Sequence, residues 1–529
     1  MKNPSLKILL VTLGAVLFNI IFWQEKFALN SVLFDVFVLW SVFYLYPSSF
    51  KKATMKGLMV AHILTLIAVV MHNTFLSKLA FSATLLLIIA FTQYMHRSVI
   101  YAGGSILMNY ILFIPSFNSN VKLIKPGSLH FTGLRKSIRF LVIPLLMLAL
   151  FFILYNFANS IFKNMVNDAL SSLQHFFLRF FDWFSWQRFW FFLLGLFIIG
   201  GLLLKSSIDY FSEKDKGKSD LLHRRKNDLK HWKKTAWYDL LSLIMGRFAS
   251  GMLALRNENK TGIISLVLLN VLLLCINCVD IIYVWFGFTY SDDINLSQYV
   301  HDGTGLLIFS ILIAMIVLLF FFRGNINFYK KNKWLRMAAY AWLFQNAILV
   351  VSVFFRDYYY IVHFGLAYKR IGVLVFLLMV VTGLVTVFIK IHQCKTAYFL
   401  LRINACTAIV LLVVASCIHW DETIAEYNLA RKNTIPLDIK FLLSLSDKTL
   451  PVIEKNKDVL ERASNVNLVG EGEYLYRSSL TPKQVFENRK QAFFTLQNEY
   501  TWLSWNMADD YVKKQLAHSP HITSTTTKN

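Results

Sequence analysis

The residues of this 529-residue chain that could move a proton or hold a charge collect at the ends of three apolar segments. Tyr299, His301 and Asp302 precede one such segment. Arg356, Asp357, Tyr358, Tyr359, Tyr360 and His363 follow the next, and His419, Trp420, Asp421 and Glu422 follow the last. If the three ends face one compartment, acids, imidazoles and an arginine can enclose an aqueous pocket fit for acid/base work or for binding a charged group. The same residue types also make up an ordinary interfacial belt with ion pairs, so no catalytic residue is assigned. Inside apolar segments stand Asp35, His62 and Asp280. An ionisable group in a bilayer is expensive, and it marks an ion or proton path unless a polar neighbour satisfies it. Asn270, Asn277, Gln345 and Asn346 read as hydrogen-bonding groups between helices.

Other chemistry finds little support. Cys275 and Cys278 have CxxC spacing, but a metal site needs further ligands and a redox pair needs a thiolate-stabilising setting, so no metal is assigned. No phosphate-binding loop, nucleophile elbow, HExxH pair or dinucleotide fingerprint occurs in a suitable context, and no cofactor is expected.

The elements that must position these groups are read from composition. The chain is 56% hydrophobic and 16% charged, with mean hydropathy +0.51, where a soluble domain would carry about 25% charged residues. The expected fold is all-α: a polytopic helical membrane protein of about 11–12 transmembrane helices with a small helical C-terminal soluble domain. Apolar segments run from Ile8 to Trp23, Ala28 to Tyr46, Gly57 to Met71, Leu79 to Tyr94, Val99 to Phe117, Phe140 to Ala158 and Phe189 to Leu204. Five more run from Ile263 to Phe286, Gly305 to Phe322, Met337 to Phe355, Ile371 to Ile391 and Ala397 to Ile418. The stretch from Lys205 to Lys260 carries 13 Lys/Arg against 7 Asp/Glu, which places it in the cytoplasm. Alternation then puts the tail outside. Lys51, Lys52 and Lys56 become cytoplasmic only if one weak segment, Val99 to Phe117 with its Gly103-Gly104 pair, is re-entrant or interfacial, leaving eleven spans.

Four regions follow: a membrane region of six or seven spans at 1–204, a basic cytoplasmic loop at 205–262, a five-span membrane region at 263–418 and an extracytoplasmic helical tail at 419–529. An amphipathic helix at about 161–188 should lie flat in the outer interface. A second, striped by Leu229, Trp232, Ala236, Leu240 and Ile244, should rest on the inner leaflet. The net charge of +24 lies wholly before residue 419, since the tail balances 14 basic with 14 acidic residues. The expected partners are therefore membrane lipids, anionic at the inner leaflet, and a protein partner for the tail, with no nucleic acid. In the tail Asp447 should cap a helix running to about Arg462, and Thr481 with Pro482 should start another.

From Tyr299 to about Arg431 several motifs occur in order: Tyr299-Val300-His301-Asp302-Gly303, Phe322-Arg323-Gly324-Asn325-Ile326-Asn327-Phe328, Trp342 with Gln345-Asn346, Phe364-Gly365-Leu366-Ala367-Tyr368-Lys369-Arg370-Ile371-Gly372-Val373, Gly383-Leu384 with Thr386, and Trp420-Asp421 with Ile424-Ala425-Glu426-Tyr427-Asn428. In these the chain resembles an uncharacterised bacterial membrane family, domain of unknown function 4173, in its Bacteroidetes form; family members carry Thr where Ala367 stands. The resemblance implies a multi-pass protein of the bacterial cytoplasmic (inner) membrane and brings no activity. Lys369 and Arg370 enter the bilayer from outside, against the positive-inside preference, and so need a counter-charge, for which Asp357, Asp421 and Glu422 are nearest in topology. The leading expectation is a non-enzymatic sensor or envelope-associated scaffold. One rival is a transporter of a small or charged solute using Asp35, Asp280 and the outer cluster. Another is an enzyme acting on a lipid-linked or envelope substrate through His301, Asp302 or Asp421.

Overall fold

The computed structural model describes residues 4–47, 53–124, 185–224, 254–286, 296–462 and 481–517, with short helical pieces between 144 and 171. The expected segment from Phe140 to Ala158, most of the interfacial helix at 161–188 and the stripe from Leu229 to Ile244 lie outside the described residues, as do the side chains of 296–304.

All regular elements among the described residues are helical. They are α1 (Pro4–Phe22), α2 (Asn30–Leu45), α3 (Ala53–His72), α4 (Phe75–Gln93), α5 (Val99–Ile111), α6 (Phe113–Ile124), α7 (Trp186–Leu203), α8 (Tyr210–Lys216), α9 (Ala254–Asp280), α10 (Leu296–Phe321), α11 (Lys333–Phe364), α12 (Tyr368–His392) and α13 (Ala397–Ser416). The tail adds α14 (Trp420–Ala430), α15 (Ile439–Ser444), α16 (Leu450–Glu454), α17 (Lys457–Arg462), α18 (Pro482–Glu499) and α19 (Met507–Ala517). Among the described residues eight helices are long and apolar enough to cross a bilayer. A ninth span is possible if α5 and α6, bent by 64° at their junction, count as one broken span rather than a re-entrant loop, and α2 and Gly305–Phe321 are shorter apolar helices. The chain is thus an all-α polytopic membrane protein. The bend falls in the segment whose Gly103-Gly104 pair set it apart in the sequence.

Two compact units result. The first comprises Met1–Glu25, Val32–Pro47 and Ile106–Ile208. Sparse glycine does not advertise close packing in the sequence, yet here it is used for that purpose: a Cβ on Gly201 would collide with the Tyr110 ring, and one on Gly200 with the Phe113 ring. Phe18 stacks on Phe191 with ring centroids 5.0 Å apart.

The second unit comprises Lys26–Ser31, Ser48–Ser105 and Asp209–Asn529. Its membrane core joins α9 to α12 through Leu266, Ile311, Leu318, Leu335, Val353, Leu384 and their neighbours. Between these helices Asn270 donates to the Ala338 carbonyl at 3.0 Å and accepts from Gln345 at 2.9 Å. Successive helices reverse direction, so the loops sort to two ends. At one, Arg323 pairs with Glu258 at 3.4 Å and Arg402 with Asp220 at 2.9 Å. Lys390 donates to the Phe322 carbonyl at 2.7 Å, and Asn327 to the same oxygen at 2.9 Å. The Phe322–Phe328 motif therefore works as a stop for α10, its orphan carbonyl taken up by an amide and a cation.

The other end carries the tail, whose core runs from Ile424 and Leu429 through Leu442, Leu450, Leu460 and Phe486 to Leu516. Thr481 and Gln484 form a reciprocal capping box at the start of α18, with Pro482 in its first turn, as the spacing predicts. Asp447 does not cap a long helix. It heads a 3-10 turn, and its carboxylate accepts from Arg489 at 2.6 Å. That buried arginine also donates to the carbonyls of Leu443 and Leu445 at 2.5 and 2.7 Å. A guanidinium with several acceptors in reach outcompetes one backbone N–H for the acid.

Candidate functional site

The charged residues marked in the sequence separate into several centres. Asp280, the last residue of α9, accepts from Arg356 on α11 at 2.5 Å, with both side chains at most 10% exposed. A π-helical turn, Ile281–Phe286, follows Asp280 directly. The carboxylate that the transporter reading needs is therefore engaged by a guanidinium within the helix pair. His62 is fully buried on α3, its Nδ1 2.8 Å from the Thr84 hydroxyl on α4 and its ring on Phe81. Asp35 is buried on α2 of the first unit. His301 and Asp302 fall in the first turns of α10, where side chains lie outside the described residues. Cys275 and Cys278 are exposed, reduced thiols.

The second centre surrounds the turn from α11 to α12. The 32 residues of α11 span about 48 Å at 1.5 Å per residue, well beyond a hydrocarbon core of about 30 Å, so one or both ends must project from it. The helix stops at Gly365, whose φ of +82° and ψ of −175° suit glycine alone. A Cβ there would stand 2.4 Å from Asn428 Oδ1 and 2.9 Å from Ile435. Asn428 of α14 accepts from the Leu366 N–H at 2.6 Å and donates to the Leu366 carbonyl at 2.9 Å, bonding like a neighbouring strand. Arg370 donates to the carbonyls of Phe364 and Gly365 and lies 3.9 Å over the Tyr360 ring. Asp357, one of the three acids near in topology, is buried on α11. Two motifs distant in sequence, Phe364 to Val373 and Trp420 to Asn428, thus meet. Between them and the loop Ile435–Asp438 lies a cavity of about 330 Å³, bordered also by Lys369 and Phe441. Gly365→Ala should cost about 2 kcal/mol or more, because a strained backbone and a clash with Asn428 add. Thermal unfolding in detergent checks this, and an unchanged midpoint would contradict the clamp.

The third centre ties the tail to the helix ends. Lys448 donates to the carbonyls of His72 and Asn73 at the end of α3. His419 is 2.9 Å from Glu422 and stacks on His72; the His419 hydrogen bond, opposed by burial, holds the Glu422 carboxyl below its ordinary value. Asp509 accepts from Lys26 at 3.2 Å, Gln497 at 3.0 Å and Asn506 at 2.9 Å. Burial pushes the Asp509 carboxyl up, but Lys26, Asn506 and Lys448 together hold it below the usual range. Burial pushes Lys448 down to about 8, against the attraction of Asp509 and Asp421. The native lysine therefore releases its proton near pH 8 while the unfolded one holds it to about 10.5. Stability from this group should rise by about 3 kcal/mol between those limits and stay flat below pH 8. The unfolding free energy of the wild type minus that of Lys448→Met, followed from pH 7 to 10.5, measures it; a flat difference would contradict the buried cation.

A fourth centre, which the sequence reading missed, sits at the basic end. Asp215 of α8 is fully buried and accepts four hydrogen bonds: from His96 Nδ1 at 3.1 Å, the Arg97 and Ser98 N–H groups at 2.7 and 3.3 Å, and the Tyr398 hydroxyl at 2.5 Å. His96 Nε2 lies 2.8 Å from the Ser105 hydroxyl. Burial pushes the Asp215 carboxyl up, but the four donors win and keep it below its ordinary value. Burial also lowers His96, against Asp215. Serine, neutral imidazole and carboxylate in this order is the arrangement that activates a nucleophile. Ser105, however, lies mid-helix in α5 with its N–H spent in the ladder, and is 3% exposed. The arrangement instead fastens the α4–α5 loop and α13 to α8. Asp215 was hidden in the sequence because it is one of seven acids in the basic stretch from Lys205 to Lys260, and nothing in its spacing sets it apart.

Among the described residues no three His, Cys, Asp or Glu side chains stand close enough to hold a metal ion. Neither the curated proteins nor the solved structures give a significant match to the chain. The resemblance to domain 4173 carried by the motifs between 299 and 431 is not what comparison with known families returns. That comparison matches residues 6–456, which span most of the membrane helices and the first part of the tail, and the chain belongs to the family described as Domain of unknown function (DUF4153).

Proposed function

We propose that the protein is a non-catalytic sensor or envelope-associated scaffold of the bacterial cytoplasmic membrane, with its C-terminal domain outside the cytoplasm and its basic end against anionic lipid of the inner leaflet. The carrying observation is a shared core: Ile371 in the first turn of α12 packs into the same cluster as Ile424, Leu442 and Phe486 of the tail. A load on the tail must then be felt by a membrane helix, because close-packed cores transmit displacement. The sidedness draws support from Lys56, Arg323, Lys390 and Arg402, which lie at the end of the second unit away from the tail. Asp280, an intramembrane acid of this unit, is held in an ion pair, which favours a structural over a transport role.

Two measurements test the proposal. A reporter that fluoresces only in the cytoplasm, fused after Asn529, should stay dark; a bright fusion would invert the orientation. Phe486→Ala, which opens the tail core, should raise hydrogen exchange in the first turns of α12 while leaving α9 protected. Unaltered exchange in α12 would remove the coupling on which sensing rests.

A further inference from the structure

The cavity at the α11–α12 turn has the properties of a ligand site. Its volume of about 330 Å³ falls at the lower end of the range for small-molecule pockets. Its wall is divided by chemistry. One side is apolar, made by Leu366, Ile435, Pro436, Leu437 and Phe441, and the other presents Lys369 and Arg370. Between them begins α12, whose N-cap is Ala367, without a side-chain oxygen to accept from the first N–H groups. Its N-terminal dipole therefore adds to the two cations. Arg370 is already engaged by backbone carbonyls, whereas Lys369 is exposed. One carboxylate, Asp438, borders the cavity; it caps α15 by accepting from the Phe441 N–H at 2.9 Å, and its single charge is outnumbered by those of Lys369 and Arg370. The cavity borders the first turn of α12, a helix long and apolar enough to cross a bilayer.

We propose that this cavity binds an anionic phospholipid, its phosphate at Lys369 and the first turn of α12 and the upper part of its acyl chain against Leu437 and Phe441. An anion meets the Lys369 cation and the positive end of α12 there, and the apolar wall suits a tail that a free phosphate ion lacks. The inference deepens the sensing role and rests on it for its placement in the outer leaflet; binding itself is tested independently of orientation.

The test uses the full chain in phosphatidylcholine nanodiscs carrying a trace of either photoreactive phosphatidylglycerol or photoreactive phosphatidylcholine. The phosphatidylglycerol probe should label peptides covering 364–370 and 435–442, and Lys369→Glu should reduce that labelling roughly tenfold, the value of about one charge-assisted hydrogen bond. Lys369→Arg should retain it, and millimolar inorganic phosphate should not compete. Equal labelling by both probes, or labelling that survives Lys369→Glu in a protein of unchanged melting point, would overturn the proposal. Full competition by inorganic phosphate would assign the site to the free ion instead of the lipid and overturn it as well. A bright cytoplasmic fusion at Asn529 with intact phosphatidylglycerol labelling would overturn the orientation alone.

Discussion

Arg356→Leu is expected to lower stability by about 3–5 kcal/mol, the usual penalty for leaving one charge of a buried pair alone. Asp280 and Arg356 are 2.5 Å apart and nearly sealed from solvent. The guanidinium offsets the cost of burying the carboxylate. Asp280→Leu alone should also be harmful, since it removes the buried carboxylate that accepts from the Arg356 guanidinium. The double variant Asp280→Leu/Arg356→Leu should recover most of the loss, because a well-packed apolar pair of similar volume is often neutral or better. Unfolding of the four proteins in detergent closes the cycle. Additive losses would mean that the two side chains do not act as a pair. If the double variant is stable but the phenotype is lost, the pair has a role beyond holding α9 to α11.

Asp215→Ala should cost a similar 3–5 kcal/mol, for a different reason. Its carboxylate is the common acceptor for two backbone N–H groups, an imidazole and a phenol, and its removal orphans four buried donors at about 1–3 kcal/mol each before relaxation. Asp215→Asn should fare little better, since its amide would point a donor at donors. Ser105→Ala removes one hydroxyl contact and should cost only about 1 kcal/mol. A serine-reactive phosphonate should leave Ser105 unlabelled. Covalent labelling there, lost in His96→Gln, would make this a nucleophilic centre. The pH dependence has a definite sign. Both His96 and Asp215 titrate below their ordinary values in the native state, so the unfolded chain binds protons first. Their contributions are complete above pH 6.5 and near-neutral conditions, and are lost on acidification: His96 below about 6.5, Asp215 below about 3.8.

The two centres differ in how visible they were. Asp280 is a lone acid in an apolar run, so hydropathy alone marks it, and Arg356 follows an apolar segment for the same reason. Their pairing is invisible, because 76 residues separate them and only the packing of α9 on α11 sets the register. Lys369 and Arg370 were marked by breaking a charge rule, but the cavity beside them depends on Asn428 reaching back to Leu366. Lys448 carries no signal at all, as one of many lysines in a charge-balanced tail.

By itself the sequence determined what depends on local composition: helices where about 20 apolar residues run together, a cap at Thr481, and a segment from Val99 to Phe117 set apart from the others, which bends between α5 and α6 and not at its Gly103-Gly104 pair. The bilayer enforces this part, since every buried backbone group must bond within its own segment. Tertiary structure decided which polar groups share a centre, because a hydrogen bond or ion pair between helices is fixed by contact geometry that residue spacing does not encode. That is why members of the outer cluster, grouped by their positions at segment ends, have different partners: Arg356 pairs with Asp280, Lys369 and Arg370 border a cavity, and Glu422 bonds His419.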